Sequence, residues 1–220
     1  MEPADLRIDL KVAQLLCSRL CHDLIGPAGA VNAGLELLDE DIAADSDAAL
    51  GLVARSAHQV TDRLTFFRVA FGFGGGGPVA SMAEARKLAR LYLAESNVTL
   101  DWPAGEEERV FPLAAAKLLL NLVLLGAESL PRGGTLDVRI ADLDEGTGFA
   151  IVARGTGARF KADVREVMNA GASEADLSAR TVHGYFAMRL AASLGAAIEV
   201  SDGTEGEVQL AAILPESHRR

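Results

Sequence analysis

His22 is followed directly by Asp23 and, five positions on, by Pro27. A neutral imidazole nitrogen is nucleophilic near physiological pH, so a ring beside a carboxylate suits a covalent carrier of a phosphoryl group. The phosphoramidate such a ring forms is high in energy, and exchange with an aspartyl phosphate can run in both directions. In-line positioning and charge neutralisation are what such a step asks of a protein. Asp23 is placed to orient the ring or hold its N–H. Arg19, just off the same face, is placed to pair with the phosphoryl group. The chain has four histidines, and His58, His183 and His218 lack the acid and proline context. His58 falls on an outward helix face and makes a control site. His218 sits in the terminal Glu-Ser-His-Arg-Arg, where chain ends fray.

The element that must present His22 is a helix. At about 100° per residue, Leu16, Leu20, Leu24, Pro27, Val31, Leu35 and Leu38 fall in one stripe, spaced by fours and threes as a bundle seam requires. His22 lies nearly opposite. Ser18, Gly26, Gly29 and Ala33 share its face, so the ring stands over low ground that another protein can approach. The chain's two cysteines, Cys17 and Cys21, are too few for a structural zinc site and too close on one helix for an unstrained disulfide. They read as small apolar packing residues.

At 220 residues, half of them hydrophobic and with a formal net charge of −10, the chain has material for two modest domains. The acidic balance argues against nucleic acid or an anionic membrane as the main partner. No apolar run reaches the roughly 20 residues needed to span a bilayer, and the first residues do not read as a signal peptide. The expectation is a soluble, cytoplasmic protein.

A long helix is predicted over residues 8–40, with Pro27 inside it, followed by turn chemistry from Asp41 to Asp47. A second helix carries Leu50, Val53, Ala57, Val60, Leu64, Phe67 and Phe71 along one side. One antiparallel hairpin cannot bury both apolar stripes, and pairing two copies into a four-helix bundle would, so a homodimer is expected. The run Gly72-Phe73-Gly74-Gly75-Gly76-Gly77-Pro78 suits neither helix nor strand and marks a boundary between residues 1–73 and 78–220. Beyond it, helices are predicted over 82–95, from Pro112 to about 127, over 163–170 and over 181–194. Strands are predicted over 98–102, 135–142, 149–153, 197–201 and 208–214. The fold class is α+β: a two-helix hairpin, then an α/β sandwich with a mostly antiparallel sheet.

A hairpin bearing His-Asp-x-x-x-Pro ahead of this helix and strand order resembles a sensor histidine kinase core over nearly the whole chain. Three of the nucleotide-holding boxes of such kinases are altered. Asn121-Leu122-Val123-Leu124-Leu125-Gly126-Ala127 is similar to the first, but the second Asn, which ligates Mg²⁺ in kinases, is Leu125 here. Ala153 stands where the adenine-reading Asp precedes Gly155-Thr156-Gly157. The glycine-rich phosphate loop is reduced to Val182-His183-Gly184-Tyr185-Phe186, whose side chains would block close backbone approach to phosphates. A degenerate kinase-like domain without ATP is therefore expected.

The pattern resembles the ChpT-type histidine phosphotransferases of alphaproteobacteria. The match is carried by His22 to Pro27, Asn32-Ala33-Gly34-Leu35-Glu36-Leu37-Leu38, Phe67-Arg68-Val69-Ala70-Phe71-Gly72 and Leu118-Leu119-Leu120-Asn121-Leu122. The resemblance implies a dimer that takes phosphate from the receiver domain of a hybrid kinase and passes it to response regulators such as CtrA. It implies no cofactor in this chain, the Mg²⁺ residing in the receiver. Two other classes stay open: a divergent ATP-using kinase, and an adaptor that binds a receiver without chemistry.

Overall fold

The computed structural model describes residues 9–39, 46–72, 79–104, 110–169 and 173–215. Most of the turn expected between the first two helices, the glycine run from residue 73 and His218 lie outside them. Helices α1 (Leu10–Asp39) and α2 (Ser46–Ala70) form the expected hairpin. Gly34 brings them together: a Cβ there would lie 2.7 Å from Val53 Cγ2. The seam differs from the expected stripe at Leu35, which is 48% exposed. Pro27 is buried and Val31 and Leu38 are half-buried along the side of α1 that holds buried Gly34.

The second helix also carries two apolar faces. Phe66, Phe67 and Ala70 are buried within the chain, whereas Leu50 and Leu64 are about half exposed. Leu50, Ala54, Ala57, Thr61 and Leu64 follow at intervals of four and three and are all exposed, as a second bundle seam would be.

The remainder comprises β1 (Val79–Ser81), α3 (Met82–Leu93), β2 (Val98–Asp101), β3 (Val110–Pro112), α4 (Leu113–Glu128), β4 (Gly134–Leu143), β5 (Gly146–Arg154), α5 (Ala162–Met168), α6 (Val182–Ser193), β6 (Ile198–Asp202) and β7 (Glu207–Pro215). The five-stranded sheet runs β2-β4-β5-β7-β6, antiparallel except where β2 pairs with β4. Residues β1 and β3 form a separate antiparallel ribbon that the sequence pattern did not predict. Three-residue strands carry too little alternation to be read. Pro112 ends β3 and caps α4 rather than occupying its first turn.

Helix α4 is apolar on nearly every side and therefore central. Leu118, Leu119, Leu120 and Leu122 are fully buried, each contributing about 1.5–3 kcal/mol of transfer free energy. Its core is continuous with the end of α2, through Phe66, Phe67 and Ala70, and Phe66 stacks on Tyr92 of α3 at 4.3 Å. A smaller cluster of Val12, Leu16, Val167, Leu177, Val182 and Tyr185 joins the start of α1 to α5 and α6. The hairpin thus lies against the sheet domain along two contacts, one through the end of α2 and one through the start of α1.

Candidate functional site

His22 stands on α1 with 88% of its side chain exposed, and its Nδ1 lies 3.6 Å from Asp23 Oδ1. Ser18, Gly26, Gly29 and Ala33 are exposed around it. Ideal Cβ atoms built on Gly26 and Gly29 meet nothing within 4 Å, so neither glycine is required by packing within this chain. The ring is flanked by open ground on both sides of the helix turn.

Pro27 explains how the local backbone is held. In an α-helix the N–H of residue 27 would bond the carbonyl of residue 23, and proline has none. The orphaned Asp23 carbonyl instead accepts from Arg63 Nη1 of α2. The Arg63 guanidinium lies 6.0 Å from the Tyr92 ring centroid, and burial, with Asp23 adding, pushes the Tyr92 hydroxyl far above its ordinary range. Helix α1 therefore passes through its proline unbroken, and α2 supplies the missing donor beside His22. Arg63→Ala is expected to lower stability by about 1–3 kcal/mol, the cost of a part-buried carbonyl left unpaired. An unchanged urea midpoint would contradict this.

Arg19 differs from its expected role. Its side chain is only 13% exposed and is turned toward the sheet domain, where Nη2 bonds Glu128 Oε1 at the end of α4. Its Nε points at Asp23 Oδ2 from 3.9 Å, beyond hydrogen-bond reach. The guanidinium is thus committed within the protein and is not free to meet an incoming phosphoryl group. Glu128 also lies 3.5 Å from Nδ1 of His183. Burial pushes its carboxyl up, but His183, Arg19 and Lys161 outweigh burial and hold it below the ordinary carboxylate range. Burial likewise drives His183 below its ordinary value, against the opposing influence of Glu128.

The buried network continues inward. Asn121 gives its amide hydrogens to the carbonyls of Ala70 at 2.9 Å and Lys117 at 2.8 Å. Its Oδ1 is therefore an acceptor and faces His183 Nε2 at 3.0 Å. This polar thread joins α1, α2, α4 and α6 beneath the His22 face. Sequence pattern gave no sign of it, because its partners are 51 to 109 residues apart.

The altered boxes are packed. Leu125 and Ala153 are buried, and Val182 to Tyr185 are buried in the first turns of α6 rather than in a loop. A Cβ on Gly184 would lie 2.6 Å from Val164 Cγ1, so this glycine serves the approach of α6 to α5. Cys17 and Cys21 are both exposed and do not pack within the chain, contrary to the expectation. His58 is exposed on α2, and His183 is buried. Among the described residues, no group of three or more His, Cys, Asp or Glu side chains is placed to hold a metal ion. No described helix is long and apolar enough to cross a membrane.

Comparison with known proteins places this arrangement. Residues 82–206 match the family described as the histidine phosphotransferase C-terminal domain. The chain is 38% identical to the protein phosphotransferase ChpT of Brucella abortus over 192 residues, spanning 87% of this chain and 90% of that protein. Its fold superposes on a solved bacterial phosphotransferase with a TM-score of 0.81 and 33% identity, covering 96% of this chain and 98% of the other. A helical hairpin with a sheet domain closed against it, shared with such relatives along almost its full length, makes this chain a ChpT-type member of the histidine phosphotransferase family and a protein phosphotransferase of two-component signalling.

Proposed function

We propose that the phosphoryl group travels on Nε2 of His22, moving between receiver-domain aspartates without ATP. The observation that carries this reading is the 88% exposed ring with a carboxylate oxygen 3.6 Å from Nδ1. At 3.6 Å the contact is electrostatic rather than a hydrogen bond, and a carboxylate on that side favours the tautomer with its proton on Nδ1, which leaves the Nε2 lone pair outward as the nucleophile. In loading, Nε2 bonds to the phosphorus of an aspartyl phosphate, the P–O bond breaks, and the aspartate leaves as carboxylate. The ring becomes cationic, and Asp23 offsets that charge. Unloading is the reverse, with the carboxylate of a second receiver attacking phosphorus and Nε2 leaving with its electron pair. We assign the donor to the receiver of a hybrid kinase and the acceptors to response regulators of the CtrA kind, each receiver bringing its own Mg²⁺. The protein then works in the cytoplasm, where those partners act.

Nucleotide independence is supported by the packing of the altered boxes. A metal-binding Asn is replaced by buried Leu125, and the remaining Asn121 is fully buried with its carboxamide bonded on both sides. Calorimetric titration with millimolar ATP–Mg²⁺ is expected to give no saturable heat. Micromolar saturable binding would favour a divergent kinase instead. The adaptor reading predicts that loss of the His22 ring has no effect on phosphate flow between partners.

The working unit is proposed to be a homodimer through the hairpin. Leu50 and Leu64 on α2 are 54% and 51% exposed, and Leu10, Ile25 and Leu35 on α1 are 72%, 72% and 48% exposed. These exposed apolar side chains are spread over both helices of the hairpin. Light scattering of the native chain at tens of micromolar should give twice the monomer mass. Leu50→Glu with Leu64→Glu should give the monomer mass, and a native monomer would refute the dimer.

A further inference from the structure

Glu128 is out of place by local rules. It is an acid in the last turn of α4, where the helix dipole disfavours negative charge, and only 19% of its side chain is exposed. Such a position is tolerated when something beyond local preference holds it. Three cationic or titratable groups face it from three directions: Arg19 on α1, His183 on α6 and Lys161 before α5. Of these, Arg19 makes the direct bond. Arg19 also has a second anion within reach, since Asp23 lies one turn further along the same helix. Its Nε already stands in a loose ion pair with Asp23 Oδ2 at 3.9 Å, short of hydrogen-bond distance.

We propose that Glu128 is a positioning residue for the phosphoacceptor: by holding the Arg19 guanidinium it keeps the Asp23 carboxylate turned to Nδ1 of His22. This rests on the reading of His22 given above. With the charge of Glu128 removed, Asp23 is the nearest anion left to Arg19. The guanidinium closes on it, and the carboxylate leaves Nδ1. The ring then reverts toward the Nε2–H tautomer that free imidazole side chains prefer, and the outward nitrogen is no longer the nucleophile. The sheet domain thereby acts on the reacting ring through two side chains, without touching it.

The test is Glu128→Gln in the native background and in Asp23→Asn, with two readouts. The ¹⁵N shifts of the His22 ring report its tautomer without any phosphate present. Transfer from a phosphorylated receiver domain reports the first-order rate at saturation and the half-saturating receiver concentration. Glu128→Gln is expected to move the ring signals toward the Nε2–H tautomer. It should lower the saturated rate by about five-fold with half-saturation unchanged. Both effects should vanish in Asp23→Asn. Where Asp23→Asn leaves too little transfer to measure, the ring signals decide. Unchanged ring signals in Glu128→Gln overturn the proposal. So does an equal rate loss in both backgrounds, which is what loosened packing would give. Transfer that persists in His22→Ala overturns the relay reading itself, a separate outcome from a silent Glu128→Gln.

Discussion

His22→Ala is expected to leave the protein folded and to reduce transfer from a phosphorylated receiver to below about a thousandth of the native rate, a barrier increase of about 4 kcal/mol. The expectation follows from covalent carriage: without a ring nitrogen no P–N bond forms, and the two receiver aspartates never meet. The side chain is 88% exposed, so its removal leaves no cavity and stability is an internal control. His58→Ala removes another exposed imidazole from the same hairpin and is expected to transfer at the native rate. Loss of transfer in both variants would point to the hairpin surface in general rather than to one nucleophile. Retention in both would remove His22 from the chemistry.

Gly29→Leu is the second large effect, and it separates stability from activity. Glycine within a helix costs roughly 0.5–1 kcal/mol relative to alanine, and the space above Gly29 is empty within this chain. Nothing in the intrachain packing accounts for that cost. Clearance for a partner does, because a receiver must bring its aspartate within bonding distance of Nε2. A leucine two turns along the same face from the ring stands in that path. Gly29→Leu should hold or raise the thermal midpoint while cutting transfer by an order of magnitude or more, at least about 1.4 kcal/mol in the barrier. Native transfer by Gly29→Leu would show that the receiver docks elsewhere. A lowered midpoint would show that Gly29 is needed by the fold.

Much of this architecture was legible because it rests on period. The 3.6-residue pattern set the two hairpin helices, the all-round apolar character of α4 set it at the centre, and alternation in residues 135–142 set an internal strand. The His22 face was legible for the same reason, since geometry within one helix is fixed by spacing alone. What period does not encode was missed. Leu35 and the cysteines stand exposed because apolarity shows that a side chain wants cover, not whether its own chain supplies it. Arg19 is adjacent to the His22 face by spacing, and the acid that turns it inward is 109 residues away. The Arg63 bond was hidden in the same way, although Pro27 announces an orphaned carbonyl at Asp23 and so asks for a donor. That signal was present in the sequence. Its answer lay on another helix.

The residue that carries the phosphoryl group can be identified directly. The purified protein should be incubated with a phosphorylated receiver domain, quenched at alkaline pH to preserve phosphoramidates, and mapped by fragmentation mass spectrometry. One modified position is expected, His22, with phosphate on Nε2, acid-labile and base-stable, and chased off by a second unphosphorylated receiver. Label on any other residue would contradict it. So would phosphate reaching the second receiver while His22 never carries it.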